Sequence, residues 1–327
     1  MDIEKIISIG IRTSINNNGS LCEMAGFFDN VREKVTGETA NNYFFGENRW
    51  TFKTYKRHIF ESIRCEYDIS NESYIKSFGE VLRYNENTGK SGSFFYITSD
   101  KKFIIKTIYN GEYKFLTSIL KKYSIYLIDN KDTYLTKFYG LYKIKTVFSN
   151  IKFVVMNNIF YNQEIKQIYD LKGTTEDRLA VEDGHVLKDL NFEKKNQKLY
   201  MDNNDRDVYC DIVKKDTEFL EYLNIMDYSL ILGIGSDIEN GVIVGMNGET
   251  YVVGIIDILQ DWSFFKIIAR IFKKFFHCYC YDGQIDSEPP EIYRDRFINY
   301  VTNEIIIPTK DDLQPSEIYS LTASQVI

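Results

Sequence analysis

The 327-residue chain has no run of 18 or more apolar residues, so no stretch of it reads as a helix crossing a bilayer. It has no excess of positive charge. Its 40 Lys and Arg stand against 47 Asp and Glu, a net charge of −7, which argues against a general nucleic-acid binder. Its five cysteines, Cys22, Cys65, Cys210, Cys278 and Cys280, form no CxxC pair and keep no regular spacing. That pattern points away from a disulfide framework and toward reduced thiols in the cytosol. His277-Cys278-Tyr279-Cys280 supplies half the donors of a zinc site, with no second pair nearby, so it reads as incidental side chains. The opening MDIEKIISIGIRTS lacks the basic flank and long apolar stretch of a secretory signal. There is no internal repeat and no low-complexity tract. What the chain does have is 44% hydrophobic and 27% charged residues, enough for a sizeable core and for two lobes.

Residues 1–47 are polar and rich in Asn and Gly, with a turn at Asn16-Asn17-Asn18-Gly19. From Trp50 to Phe78 the spacing of Phe52, Tyr55, Ile59, Phe60 and Ile63 predicts an amphipathic helix and a second short one. Phe94–Thr98 and Phe103–Thr107 predict a β-hairpin around Ser99–Lys102. Helices are expected over Glu112–Tyr123, Thr217–Leu223, Phe264–Phe276 and Tyr293–Glu304, the last just after Pro289-Pro290. Further strands are expected over Leu135–Val147, Ile151–Met156 and the apolar Tyr251–Leu259.

Gly89-Lys90-Ser91-Gly92-Ser93 runs straight into the hairpin. Glycines let backbone amides approach phosphate oxygens unobstructed. Lys106 closes the hairpin's second strand among Ile104, Ile105 and Ile108, where a buried ammonium calls for a carboxylate or phosphate partner. This is the order of a kinase glycine loop and strand lysine, although a plain hairpin with a nearby lysine has the same appearance. A P-loop is excluded. Tyr84 stands where its first glycine belongs, and a strand follows instead of a helix.

Two aspartates lie in apolar surroundings, Asp227 in IMDYSLIL and Asp257 in GIIDIL. A carboxylate there is costly unless it is paired or holds a metal. The plain alternative is a turn or cap at a strand end. Downstream of a glycine loop and lysine, the two match a need of phosphoryl transfer. One carboxylate orients the attacking hydroxyl and another holds Mg²⁺ on the nucleotide. HRDxxxxN, DFG and APE are all missing, which disfavours an ordinary protein kinase.

After Asp257, Trp262–Tyr281 contains no acidic residue. Its Lys266, Arg270, Lys273 and Lys274 form a basic stripe opposite Phe264, Ile267, Ile268, Ile271, Phe272 and Phe275. That is the pattern of an interfacial helix on anionic lipid, or of a helix packing its apolar face on a core.

GKSGSFFYITSDKKFIIKTI, LTKFYGLYKI, FVVMNNIF, YDLKGTTEDR, LKDLNF, NIMDYSLILGI, GIIDILQ and PPEIYRDRF follow one another over about residues 50–305. In these motifs the chain resembles the phosphatidylinositol phosphate kinases. The resemblance implies an α+β, two-lobed kinase-like fold, with an antiparallel-sheet N-lobe and a mixed α/β C-lobe. It implies an N-terminal extension over 1–47, an ATP-binding lobe over 48–157, a catalytic and lipid-binding lobe over 158–307 and a tail over 308–327. ATP and Mg²⁺ are the implied cofactors. Gly89, Ser91, Gly92 and Ser93 would form the phosphate loop, Lys106 would hold the ATP phosphates, and Met156 and Asn157 would meet adenine. Asp170, Lys172 and Arg178 would stand beside the γ-phosphate and the lipid headgroup. Asp227 would be the catalytic aspartate and Asp257 the metal ligand, with the choice of base between Asp170 and Asp227 left open. Lys266, Arg270, Lys273 and Lys274 would fall in the substrate-selecting loop that meets the membrane. The glycine loop and hairpin look most like fungal phosphatidylinositol-4-phosphate 5-kinases, whereas Ala269 looks more like the 5-phosphate 4-kinases. The implied partner is an anionic phosphoinositide, without nucleic acid or a transmembrane span. The implied place is the cytoplasm, peripherally on the inner face of the plasma membrane. Family members often dimerise, which makes a homodimer a candidate assembly. A phosphoinositide-binding scaffold without catalysis, and a soluble inositol phosphate or protein kinase, are the competing readings.

Overall fold

The computed structural model describes residues 2–16, 31–35, 40–45, 50–84, 92–181, 186–235, 243–244, 250–262 and 288–308. The chain forms two compact units. One comprises 1–131 with 137–161, the other 132–136 with 162–327. The architecture is α+β in both.

The first unit is built on one eight-stranded sheet in the order β1-β2-β3-β7-β8-β6-β5-β4, antiparallel throughout. Its strands are β1 Val31–Val35, β2 Ala40–Phe45, β3 Trp50–Tyr55, β4 Val81–Arg83, β5 Phe95–Thr98, β6 Phe103–Ile108, β7 Phe138–Lys145 and β8 Asn150–Asn157. Its helices are α1 Ile3–Asn16, α2 Arg57–Glu66, α3 Asn71–Ser77 and α4 Asn110–Asp129.

One sequence expectation changes here. Trp50–Tyr55 is a strand, not the start of a helix, because its burial alternates with period two. Trp50, Phe52 and Thr54 are buried, and Thr51, Lys53 and Tyr55 between them are half-buried. Pairing to β2 on one side and β7 on the other satisfies its backbone in place of helical bonds. Polar as residues 1–47 are in composition, α1 at their start has an apolar face. Ile6, Ile7, Ile11 and Ile15 are buried along α1, and Gly10 brings that helix onto the Phe52 ring. A Cβ at Gly10 would meet the ring at 2.1 Å, so only glycine permits this approach. Helix α2 is fixed by buried Arg64. Its Nη1 donates to the Tyr139 carbonyl at 2.8 Å, its Nη2 donates to Asn71 Oδ1 at 3.0 Å, and its guanidinium lies over the Tyr74 ring.

The second unit carries a five-stranded sheet in the order β10-β9-β12-β14-β13. Its strands are β9 Ile165–Leu171, β10 Val186–Lys188, β12 Ser229–Gly235, β13 Ile243–Val244 and β14 Thr250–Ile256. It is mixed, since β10 runs parallel to β9 and the other pairs are antiparallel. Every residue of β12 is buried, as expected of a central strand covered on both faces. A small parallel pair joins β11 Leu199–Met201 to β15 Ile306–Pro308. The helices are α5 Asp189–Lys194, α6 Asn203–Tyr222 and α7 Pro290–Asn299, which continues as a π-helical segment, Tyr300–Ile305. Pro290 sits at the first helical position of α7, where its missing N–H costs nothing. The fully buried Asp216 of α6 accepts from Thr133 Oγ1 at 2.5 Å and from the Tyr134 N–H at 2.8 Å. These bonds fix the short segment 132–136 against the helix. Among the described residues no helix is long and apolar enough to cross a membrane.

Candidate functional site

In the first unit, Lys106 stands in β6 opposite Phe95 of β5 and Val154 of β8, and Ile104 stands opposite Met156. Directly paired residues share a sheet face, so Phe95, Ile104, Lys106 and Met156 lie on one side. Lys106 is only 9% exposed. Its Nζ lies 3.8 Å from Glu112 Oε1 in the first turn of α4 and 5.9 Å from the Phe95 ring centre. The other Glu112 oxygen accepts the Tyr109 N–H at 2.8 Å, which fixes the carboxylate's orientation. Glu112 was not singled out from the sequence. Its signal was the position of the first acid after the lysine strand, at the third residue of the next helix. A lysine on a strand paired with a glutamate on the following helix is the arrangement protein kinases use to hold nucleotide phosphates.

Gly92 precedes β5 at φ +64°, and Ser93 beside it is 2% exposed. Gly89 and Ser91 lie outside the described residues. Asn157 closes β8. Its backbone N–H donates to the Lys137 carbonyl at 3.1 Å, and its Oδ1 accepts the Lys137 N–H at 2.8 Å. The side chain is therefore taken up by backbone, while Met156 remains half-buried on the Lys106 face.

In the second unit, β9 delivers the DLKGTTEDR segment. Asp170 stands between Lys188 of β10 and Ile231 of β12. After the strand, Gly173 turns the chain at φ +68°, a backbone conformation that favours glycine. Arg178 then folds back toward the strand. Its Nη2 donates to Asp170 Oδ1 at 2.8 Å and also to the Asp170 carbonyl, and its Nε donates to Asp189 Oδ2 at 2.6 Å. Burial alone would push the Arg178 pKa down. The carboxylates of Asp170 and Asp189 outweigh that and hold it above the ordinary arginine range. Two of its nitrogens are thus committed to holding Asp170 and Asp189.

Asp189, fully buried, is the hub of this loop. Its Oδ1 accepts the backbone N–H groups of Lys172 at 2.9 Å and Gly173 at 2.8 Å. It was visible in the sequence only as the acid of LKDLNF. With its backbone held in this way, Lys172 places its ammonium on Asp227 Oδ1 in an ion pair.

The two apolar-flanked aspartates lie just outside the strands. Asp227 precedes β12 and Asp257 follows β14, at φ +64° and +60°. Since Ser229 stands opposite Ile256, both fall at the same end of the β12–β14 ladder. Leu171 opposite Leu230 brings Lys172 to that end as well. The loops behind are pinned together. The Met226 N–H donates to the Gln260 carbonyl at 3.1 Å, and the Trp262 N–H donates to the Asn224 carbonyl at 2.8 Å. Tyr293 Oη of α7 donates to the Tyr228 carbonyl, and the Tyr228 ring packs against Tyr293 and Phe297 at 4.8 and 4.9 Å.

A family model described as "Phosphatidylinositol-4-phosphate 5-Kinase" matches residues 77–243 and 243–304. The chain belongs to that family. A phosphatidylinositol 4-phosphate 5-kinase of Schizosaccharomyces pombe, its3, is 36% identical over 223 residues, covering 64% of this chain and 30% of the relative. A probable phosphatidylinositol phosphate kinase of Dictyostelium discoideum is 36% identical over 197 residues, covering 56% and 27%. The type-1 beta phosphatidylinositol 4-phosphate 5-kinase of Gallus gallus is 31% identical over 317 residues, covering 78% and 58%. The chain thus spans less than two thirds of the length of each of these family members.

Among the described residues no three His, Cys, Asp or Glu side chains converge to hold a metal. Mg²⁺ on a nucleotide takes one or two carboxylates and completes its shell with phosphates and water. The half-buried Asp257, held at a strand end, suits that demand. The basic stripe of Lys266, Arg270, Lys273 and Lys274, the predicted helix around it and the His277–Cys280 cluster lie outside the described residues.

Proposed function

We propose that the chain is a lipid kinase that transfers the γ-phosphoryl group of ATP to phosphatidylinositol 4-phosphate at a membrane surface. The product is phosphatidylinositol 4,5-bisphosphate. The observation that carries this is the Lys172–Asp227 ion pair at the strand end that also bears Asp257. The named family members act on phosphatidylinositol 4-phosphate, which supports the choice of substrate.

In this reading Lys106, oriented by Glu112, binds nucleotide phosphates, with Gly89, Ser91, Gly92 and Ser93 as the loop over them. Met156 and Asn157 border adenine. Asp257 would hold Mg²⁺, which would supply neutralisation of charge on the transferring phosphate. Asp227 orients the inositol hydroxyl, and Lys172 keeps that carboxylate in place while offering its charge to the incoming phosphoryl group. The hydroxyl oxygen bonds to the γ-phosphorus, the bond to the bridging β–γ oxygen breaks, and ADP leaves with that electron pair. The hydroxyl proton passes to a carboxylate, Asp227 or Asp170. The loose transition state asks that group for orientation more than for early proton removal. Arg178 acts by holding Asp170 in line. Lys266, Arg270, Lys273 and Lys274 meet the anionic headgroups, which places the chain peripherally on the cytoplasmic face of the plasma membrane. A homodimer is the proposed assembly.

The test is transfer of radiolabelled phosphate from ATP and Mg²⁺ to phosphatidylinositol 4-phosphate in anionic vesicles. Folded protein that labels no lipid sinks the proposal. Ala269 favours a second reading, phosphorylation of the 5-phosphate isomer at position 4. Product analysis with each monophosphorylated phosphoinositide separates the two.

A further inference from the structure

The β7–β8 hairpin of the first unit ends in an apolar tip. Val147 is 65% exposed and Phe148 is 98% exposed. An isolated exposed apolar residue is ordinary, but this pair is presented by a hydrogen-bonded turn. Thr146 Oγ1 and Ser149 Oγ lie 2.8 Å apart. The Thr146 N–H donates to the Ser149 carbonyl at 2.9 Å, and Thr146 Oγ1 accepts the Phe148 N–H at 3.2 Å.

Behind the tip stands a row of lysines. Lys53 of β3 is paired with Lys143 of β7, which is paired with Lys152 of β8. Lys145 lies two residues from Lys143, on the same face. Directly opposed like charges destabilise a sheet. Here three stand side by side across adjacent strands, roughly 5 Å apart at Cβ. Among the described residues none of the four has a carboxylate within ion-pair distance. Lys53 and Lys152 instead lie over the rings of Tyr55 and Tyr113 at 5.0 and 4.7 Å. Burial, and then Lys152, Lys53 and Lys145 in turn, push the Lys143 ammonium below its ordinary pKa. Among the described residues the row therefore concentrates positive charge without a carboxylate to compensate it, on a chain whose net charge is −7.

We infer that this hairpin is a membrane-docking wedge, in which Phe148 and Val147 enter the interface of an anionic bilayer and the lysine row binds its headgroups. An aromatic tip backed by a lysine collar presents apolar area and charge of the sign such a surface attracts. The hairpin tip is at the opposite end of β8 from Met156 and Asn157. Seven residues of strand, on the order of 23 Å, separate them. The wedge is thus distinct from the proposed nucleotide edge. It adds a contact to the membrane setting of the proposed kinase, yet its test needs neither nucleotide nor phosphoinositide.

The full chain carrying Phe148→Trp is mixed with vesicles of phosphatidylserine and phosphatidylcholine, and with phosphatidylcholine alone. Emission is read against the wild type, whose two tryptophans give the background. With anionic vesicles the added emission should shift to the blue and be quenched by bromine-labelled acyl chains. Neutral vesicles should leave it unchanged. In sedimentation, Val147→Ser with Phe148→Ser should weaken binding to anionic vesicles about tenfold or more. Lys143→Gln, or Lys145→Gln at the exposed edge, should weaken it about fivefold each. Vesicles that bind the chain while the probe at position 148 stays solvent-exposed would overturn the wedge. So would unchanged affinity in the double serine variant. Loss of lipid phosphorylation with an intact probe response would count against the kinase reading alone.

Discussion

Asp189→Asn is the sharpest test of how the DLKGTT loop is held. The wild-type carboxylate is fully buried and takes three donors: the Lys172 and Gly173 N–H groups on one oxygen and Arg178 Nε on the other. Asparagine keeps the shape but removes the charge and turns one acceptor into a donor. Whichever way the amide is turned, it presents N–H groups to Arg178 or to the two backbone donors. One buried donor left unmatched costs about 1–3 kcal/mol. Removing a partner from a buried ion pair costs about 3–5 kcal/mol. Because Asp170 still holds Arg178 Nη2, the low end of that range applies, about 3 kcal/mol. Urea unfolding measures it. Adding Arg178→Met to the variant should cost less than the same change in the wild type, by about 1–3 kcal/mol, since its best partner is already gone. Turnover of the proposed reaction should fall more than nucleotide affinity, because either orientation of the amide loosens the loop that positions Lys172. A stability change below about 0.5 kcal/mol, or strict additivity in the double variant, would refute this account of the loop.

Three other perturbations follow from the geometry. Lys106→Met should abolish the thermal shift produced by ATP with Mg²⁺, and Glu112→Gln should weaken nucleotide binding about tenfold, the scale of a charge-assisted contact; an unchanged shift in both removes the nucleotide role. Gly173→Ala forces an L side chain to φ +68° with its Cβ 2.8 Å from Tyr300 Cβ, so unfolding free energy should drop about 1–3 kcal/mol, and an unchanged urea midpoint contradicts the close approach. Burial raises the Asp100 pKa, but hydrogen bonds from Ser77, Thr98 and the Lys102 N–H outweigh it and set it below the ordinary aspartate range. Its stabilisation is therefore complete above the unfolded pKa and lost as pH falls through the lower folded value. The difference between wild type and Asp100→Asn should be present at pH 7 and vanish in strong acid, and a difference independent of pH contradicts the assignment.

Local pattern carried some elements far and others not at all. The hairpin of β5 and β6 was legible because alternation and turn residues agree over Phe94–Thr107. Helix α4 was legible by spacing but runs on to Asp129. Trp50–Tyr55 deceived because Phe52, Tyr55 and Ile59 keep helical spacing by coincidence, while pairing partners more than 80 residues downstream in β7 decide the conformation. The site shows the same division. Lys106, Asp227 and Asp257 stand out as charges in apolar sequence, which is a local signal. Asp189 and Glu112 act through backbone amides and a distant cation, and no short window of sequence reports such a partner. Arg178 looked like an anion binder because its charge is visible, whereas the two carboxylates that engage it become apparent only once β9, β10 and α5 meet.

Asp227 and Asp257 both hold a left-handed backbone, at φ +64° and +60°. A non-glycine residue held there costs of order 1 kcal/mol or more, and Asp and Asn bear it better than most. Glycine would relieve the strain at both positions, so relief of strain does not account for an acid at either. Asp257→Asn separates conformation from charge, because asparagine accepts the same φ of +60°. The register of β12 with β14, and the bonds from Met226 to Gln260 and from Trp262 to Asn224, keep the loop in place without the carboxylate. The variant should therefore unfold at the wild-type urea concentration, within about 0.5 kcal/mol. Lipid phosphorylation should drop by at least a hundredfold, about 2.7 kcal/mol of transition-state stabilisation. A variant that keeps its activity but unfolds early would make Asp257 a turn residue, and the metal would need another ligand.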